Sequence, residues 1–384
     1  MSSVDYPDLF SPEHDELRAA VRAFVDKELF PHAQEWEDKE AFPREIFERV
    51  GALGFFGAKY PEDIGGSGPD VVADAVVTEE ITRCASGGVA ASLGAHKDLG
   101  SLYVFSFGNR EQHERWLRPA IEGRLVSALG VTEPDAGSDV AGIKTSAVRS
   151  GDDWVINGSK MFITNGSWAD YVVVAAKTDP DAGHDGISLF VVEAGTPGFE
   201  ARRIPMLGWR TGHTGELSFS DVRVPNDNLL GEAGKGFYAI MQNFAWERLI
   251  MALAQVAGAQ RTYDLAKAYA LERGAFGRPV GKFQVWRHRF ADMATRIAAG
   301  RALTYRALRL YVAGENPIRE VAMAKLYTSE VAFHVADECV QVHGGYGYMM
   351  EFPAQRAWRD SRLGPIGGGT SEIMKEIIGR TLGL

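Results

Sequence analysis

Trp154-Val155-Ile156-Asn157-Gly158 is the stretch on which the fold turns. Three strand-favouring residues closed by Asn-Gly predict a strand that ends in a hairpin turn. Tyr171 to Ala176 (YVVVAA) and Ile187 to Val192 (ISLFVV) follow as short β runs bounded by Asp, Gly and Pro. Leu217, Phe219, Val222 and Val224 supply the apolar residues of another, stopped by Pro225. The reading is a middle antiparallel β domain, assigned to residues 126–235.

On either side the apolar period changes from two to about 3.6. Ser11-Pro12 opens a helix as N-cap and first-turn proline, and Leu17, Val21, Phe24 and Val25 form its apolar face. A second segment spans about 44–53, ended by Gly54, and helical pattern resumes from Val71 to about Ile121. Beyond the β module, Phe237, Ile240, Met241 and Phe244 make a stripe that runs without glycine until Gly258. Helical segments are then expected around 259–272, 285–313, 318–342 and 370–382. The fold class is therefore α+β multidomain: an N-terminal α-helical domain (1–125), the β domain, and a C-terminal α-helical bundle (236–384).

A chain of 384 residues exceeds one ordinary core, which agrees with several packed units. Hydrophobic residues make up 45% and charged residues 24%, the balance of a globular protein. A formal charge of −10 argues against nucleic acid as a partner. No apolar run approaches the ~20 residues that span a bilayer. The amino terminus lacks a basic leader, and Cys84 and Cys339 match no zinc or redox spacing, so a cytoplasmic location is expected.

Phosphate-loop, dinucleotide-fold, hydrolase-elbow and zinc-protease signatures are absent, and the dispersed histidines predict no metal site. Two polar stretches remain at the edges of the β module. Val131-Thr132-Glu133-Pro134-Asp135-Ala136-Gly137-Ser138-Asp139 offers N–H groups and hydroxyls to an anion or a flat ring. On composition it reads better as an ordinary surface turn. Met161-Phe162-Ile163-Thr164-Asn165-Gly166 reads equally well as a strand ending in a turn. Alone, neither decides anything.

Together with later stretches they resemble the acyl-CoA dehydrogenase family over essentially the whole chain. The later motifs are Leu207-Gly208-Trp209-Arg210 with Leu217 to Pro225 (LSFSDVRVP), Arg273 to Pro279 (RGAFGRP), Gln341 to Gly347 (QVHGGYG) and Gly367 to Ile373 (GGGTSEI). The resemblance implies FAD as cofactor. Leu129, Val131, Thr132, Gly137, Ser138, Phe162 and Thr164 would line the isoalloxazine, with Thr370 and Glu372 meeting the cofactor near the bundle. Arg273, Phe276, Gln284 and the loop carrying Gln341, Val342, Gly344 and Gly345 would come from a neighbouring subunit, in a homotetramer built as a dimer of dimers. Electron-transferring flavoprotein is the implied acceptor of electrons.

One position departs from the common family pattern. The glutamate that often precedes the last Gly-Thr is replaced by Gly368. In the long-chain and isovaleryl subgroups the base lies instead on the first bundle helix, in a Glu-Arg-Leu that matches Glu247-Arg248-Leu249. The resemblance thus implies Glu247 as base, the Gly368 backbone N–H as a donor to the thioester carbonyl, and Ser138, Phe244 and Arg248 as substrate contacts. The alternative for Glu247 is a solvated residue paired with a nearby cation, and for Arg248 a surface salt bridge. The implied reaction converts an acyl-CoA, long or branched, to its trans-2-enoyl form. An acyl-CoA oxidase, a flavin monooxygenase of related fold and a non-catalytic FAD-binding subunit are the rival readings. Lys97 and Asp98 fall where the acyl tail is usually walled by apolar residues, and read as a polar end of that cavity or as an ion pair facing away.

Overall fold

The computed structural model describes residues 2–384. Among them, eight α-helices precede the first strand: α1 (Pro12–Phe24), α2 (Ala33–Lys39), α3 (Glu45–Ala52), α4 (Val71–Ile81), α5 (Gly87–Ala95), α6 (Ser101–Phe107), α7 (Arg110–Gln112) and α8 (Arg118–Ile121). Local chemistry explains their starts. The Ser11 N–H donates to His14 Nδ1 at 2.9 Å, and Asp70 caps α4 by accepting from the N–H groups of Val72 and Ala73 at 2.8 and 2.9 Å. Between α5 and α6 the chain forms a π turn, His96–Gly100.

The strands are β1 (Ser127–Gly130), β2 (Ser146–Ser150), β3 (Asp153–Ile163), β4 (Tyr171–Lys177), β5 (Ile187–Glu193), β6 (Phe199–Arg203), β7 (Gly215–Pro225) and β8 (Leu229–Leu230). They form one sheet in the order β6-β7-β3-β2-β4-β5-β8, with β1 beside β4. Pairing is antiparallel except for β1 against β4 and a single β2–β4 bridge, which are parallel. Strands β4 and β5 are buried on both faces, which is why YVVVAA and ISLFVV do not alternate with polar residues. One face meets Tyr103, Trp116 and Ile121 of the helical domain, and the other meets Trp154, Ile156 and Phe219 within the β domain.

The Asn157-Gly158 turn expected from the sequence does not form. Strand β3 runs through it with a register shift between Ile156 and Gly158. Gly158 has φ +144°, and a Cβ there would stand 2.7 Å from Thr145 Cα, so glycine serves a bulge and a close approach. The hairpin lies one strand earlier, where Gly151-Asp152 joins β2 to β3 with Gly151 at φ +65°.

The C-terminal part holds α9 (Gly236–Glu272), a small hairpin of β9 (Gly274–Ala275) and β10 (Arg278–Pro279), then α10 (Gln284–Val312), α11 (Ile318–His343), α12 (Pro353–Ser361) and α13 (Ser371–Thr381). Gly258 does not divide α9, which is one helix of 37 residues. Its neighbours Val256 and Ala259 pack with Met293, Ile297 and Val335, and tertiary burial outweighs a single weak helix former. Helix α12 lies outside the expected helical segments. Its polar sequence hides a role in joining domains, since Asp360 accepts from the N–H groups of Gly87 and Trp209.

Lys97 and Asp98 are buried, at 2% and 1% exposure. Lys97 Nζ lies 2.8 Å from Asp98 and 2.5 Å from Asp74, and Lys59 also pairs with Asp98. The ion-pair reading holds, but as a four-charge cluster inside the helical domain. Burial and the nearby Asp98 push the Asp74 carboxyl up. The indole N–H of Trp246 on α9 donates to Asp98 at 2.9 Å, tying the cluster to the bundle.

Candidate active site

Glu247 lies on α9 and is 9% exposed. Its Oε1 accepts a 2.8 Å hydrogen bond from Tyr103 Oη, on α6. Burial pushes the Glu247 carboxyl up to about 7, against the opposing pull of the Tyr103 hydrogen bond and of Arg248. Burial, then the adjacent carboxylate, also raises the Tyr103 hydroxyl. The solvated alternative for this glutamate is therefore excluded by its surroundings.

Gly368 belongs to the turn between α12 and α13. Gly368 and Gly369 adopt φ +63° and +94°. A Cβ on Gly368 would come 2.1 Å from Met251 Sδ, and Met251 stands one helical turn beyond Glu247. The turn thus rests on the face of α9 that carries Glu247. Arg248 Nε donates to Gly368 O at 3.4 Å, and its guanidinium lies 4.7 Å from the Phe244 ring centroid. Among the described residues Arg248 joins no surface ion pair. Lys325, on α11, donates to Gly364 O and Gly369 O at 2.9 and 2.5 Å. The Gly368 N–H meets no acceptor among the described residues. Phe244, Glu247, Arg248 and Gly368 are thereby gathered in one place from two separate segments.

The residues assigned to a flavin fall in three groups. In the β domain, Thr132 O accepts from the Met161 N–H at 2.9 Å, which sets the loop of Val131, Thr132, Gly137 and Ser138 beside Phe162 and Thr164. Leu129 lies on β1, half-buried at the edge of the core. Phe162 is 58% exposed at φ +62°. In the second group, Arg273 lies 5.8 Å from the Tyr346 ring centroid, so it joins the segment of Gln341, Val342, Gly344 and Gly345. The first two close α11 and do not lie in a loop, and the glycines open the turn after it. Phe276 occupies the tip of the β9–β10 hairpin at 96% exposure, and Gln284 starts α10. In the third, Thr370 caps α13 by accepting from the Ile373 N–H at 3.3 Å, with Glu372 exposed beside it.

This set suits a flavin nucleotide. A Cβ on Gly137, Gly274, Gly277, Gly344 or Gly345 would meet nothing within 4 Å, so the backbone is bare at these motifs. Ser371 Oγ is buried beside Thr370, without a partner among the described residues. Exposed aromatics, free hydroxyls and one arginine supply ring contacts and phosphate donors.

Three supports of the site are not visible in the letters. Tyr103 sits in an apolar run (SLYVFSF) where a tyrosine passes for core, although its hydroxyl needs a partner once buried. Lys325 follows the apolar face of α11, so only its burial reveals it. Glu133 stands within the loop that offers hydroxyls to a ring, but it faces inward. It is 6% exposed and pairs with Lys160 at 2.7 Å, and also accepts from the N–H groups of Lys144 and Thr145, so it braces that loop.

Known proteins agree along the full length. Family models described as acyl-CoA dehydrogenase N-terminal, middle and C-terminal domains match residues 11–124, 128–222 and 234–383. The chain is 41% identical over 377 residues to the mitochondrial long-chain specific acyl-CoA dehydrogenase of Mus musculus, covering 97% of this chain and 87% of that one. It is 39% identical over 378 residues to the mitochondrial short-chain specific acyl-CoA dehydrogenase of Homo sapiens, covering 98% and 90%. The crystal structure of an acyl-CoA dehydrogenase from Geobacillus kaustophilus superposes with a TM-score of 0.95 at 44% identity, covering 98% and 99%. Three ordered domains and this breadth of identity establish that the chain belongs to the acyl-CoA dehydrogenase family of flavoprotein oxidoreductases.

Proposed function

We propose that the protein carries out FAD-dependent α,β-dehydrogenation of an acyl-CoA thioester, with Glu247 as the base. One observation carries this reading: a buried carboxyl near neutrality sits beside a side-chain-free turn with an unused N–H. The α-proton of a thioester is very weakly acidic, so its removal needs a base of matched pKa and stabilisation of the developing oxyanion. Glu247 takes the proton, and the Cα–H electron pair moves toward the thioester carbonyl. The Gly368 N–H donates to that oxygen, while Phe244, Arg248 and Ser138 hold the substrate. When bound, FAD supplies the acceptor for the β-hydride.

The flavin is assigned to Leu129, Val131, Thr132, Gly137, Ser138, Phe162, Thr164, Thr370 and Glu372 of one chain. Arg273, Phe276, Gln284 and the 341–345 segment of a neighbour complete it, in a homotetramer. The exposed tip at Phe276 supports contribution to another chain. The wider site expected from the missing side chain at Gly368 does not follow, because Met251 fills the direction its Cβ would take. Long or branched acyl groups are proposed on the subgroup resemblance of Glu247-Arg248-Leu249 and Gly368. Electron-transferring flavoprotein is the assigned acceptor, in a reducing cytoplasm. No helix among the described residues is long and apolar enough to cross a membrane.

Anaerobic titration of the yellow protein with acyl-CoAs of graded length and branching tests the proposal. Bleaching of oxidised flavin by one chain class is expected. Persistence of the oxidised spectrum with every thioester would favour a monooxygenase or a non-catalytic subunit instead.

A further inference from the structure

Lys325 is fully buried on α11, yet no carboxylate of the described residues lies within ion-pairing distance of it. Both of its hydrogen bonds go to carbonyls of the turn that bears Gly368. Arg248, the other cation at this turn, is likewise bonded to a carbonyl, Gly368 O, and to the Phe244 ring. Glu372 bears on Lys325 electrostatically, but it is exposed and forms no ion pair with it. Two cations therefore converge on one short turn, Arg248 with the Glu247 carboxyl beside it and Lys325 with no ion-pair partner among the described residues. Buried charges are ordinarily paired, because leaving one unmatched in a low-dielectric interior is costly. The cost shows in the Lys325 ammonium, which burial, then Arg248, pushes down to about 8.

We infer that Lys325 is a positioning residue whose unmatched charge complements the negative charge developing on the thioester oxygen at the Gly368 N–H. This rests on the proposed dehydrogenation. Lys325 acts through the turn in two ways. Its bonds to Gly364 O and Gly369 O, with Arg248 on Gly368 O, hold the glycine backbone at positive φ and leave the Gly368 N–H free. Its charge makes the turn electropositive before substrate arrives, so little reorganisation is needed when an enolate forms. A neutral carbonyl gains little from such a field and an enolate oxygen gains much.

The test is binding of two CoA thioesters of equal chain length to the FAD-loaded protein. A 3-oxoacyl-CoA ionises to its enolate; the matching 2-enoyl-CoA keeps the carbonyl and cannot. Lys325→Met removes the charge and the tether, while Lys325→Gln removes the charge but keeps two amide N–H donors on a side chain one bond shorter. For both variants the affinity for the 3-oxoacyl-CoA is expected to fall roughly tenfold to hundredfold. Affinity for the 2-enoyl-CoA should change less than about threefold, and Lys325→Arg should restore most enolate binding. Equal losses for the two ligands, or a Gln variant indistinguishable from the wild type, would overturn the inference and leave Lys325 a structural tether. Bleaching of the wild type by acyl-CoA reports separately on the proposed function, so the two failures are distinguishable.

Discussion

Glu247 is held by folding close to the point at which it changes charge. Its carboxyl is raised from 4.5 to about 7, so the folded state binds an extra proton between those values. The stabilisation this gives is complete below about 4.5 and lost as pH rises through 7. Ionised Glu247 thus costs about 3 kcal/mol above neutrality, taking ~1.4 kcal/mol for each tenfold change in proton affinity. Glu247→Gln, neutral throughout, should melt higher than the wild type at pH 8, with the gap closing toward pH 5. The same variant should keep FAD and lose bleaching by acyl-CoA by at least about a thousandfold. Tyr103→Phe removes a hydrogen bond to the charged form, worth roughly 1.5 kcal/mol or one pH unit. The acid limb of kcat/KM should move upward by about that amount, and an unmoved limb would show that Tyr103 does not tune the base. At this scale the candidate base was legible, because a missing side chain at 368 and a carboxylate at 247 are both visible as letters. Tyr103 and Lys325 were not, since their value lies in which atoms burial leaves near them.

The elements show where pattern and packing part company. The apolar stripe from Phe237 announced α9, but Gly258 reads as a break and is not one. A Cβ there would meet only Thr82 Cγ2, at an ordinary 3.6 Å. Gly258→Ala should accordingly stabilise the protein by about 0.5–1 kcal/mol, seen as a small rise in melting temperature. Asn157-Gly158 fails for a different reason: turn propensity is local, while the neighbouring strand β7 supplies partners on both sides of the bulge. The π turn at 96–100 explains the charges the sequence left ambiguous, because it turns Lys97 and Asp98 inward onto Lys59 and Asp74. Asp98→Ala removes one partner from a buried cluster and strips the acceptor from Trp246, one residue before Glu247. A loss of roughly 3–5 kcal/mol is expected in chemical denaturation. A smaller loss than about 1 kcal/mol would mean that the cluster is hydrated and weakly coupled to the fold.

For the whole molecule, domain order followed from the change of apolar period, and the sheet from the run of β residues. What letters do not convey is which surfaces close on each other. Phe276, at 96% exposure on a hairpin tip whose two residues both have positive φ, touches its own chain only edge-on at Phe283, with ring centroids 6.1 Å apart, among the ring contacts of the described residues. Phe276→Asp should lower FAD content and shift sedimentation toward smaller species, with helical content by circular dichroism unchanged. Unaltered sedimentation would place the hairpin outside any subunit contact.

Helix α9 bears Glu247 near its beginning and leads directly into Arg273 at its end. At 1.5 Å per residue the two stand roughly 40 Å apart on one rod. If Arg273 serves a neighbour's cofactor, each rod is a tie bar that belongs to two reaction chambers. Pulling the assembly apart would then strand every base intact beside an empty chamber, and a mixed assembly carrying one damaged bar would lose the chemistry of one chamber and the cofactor of the next.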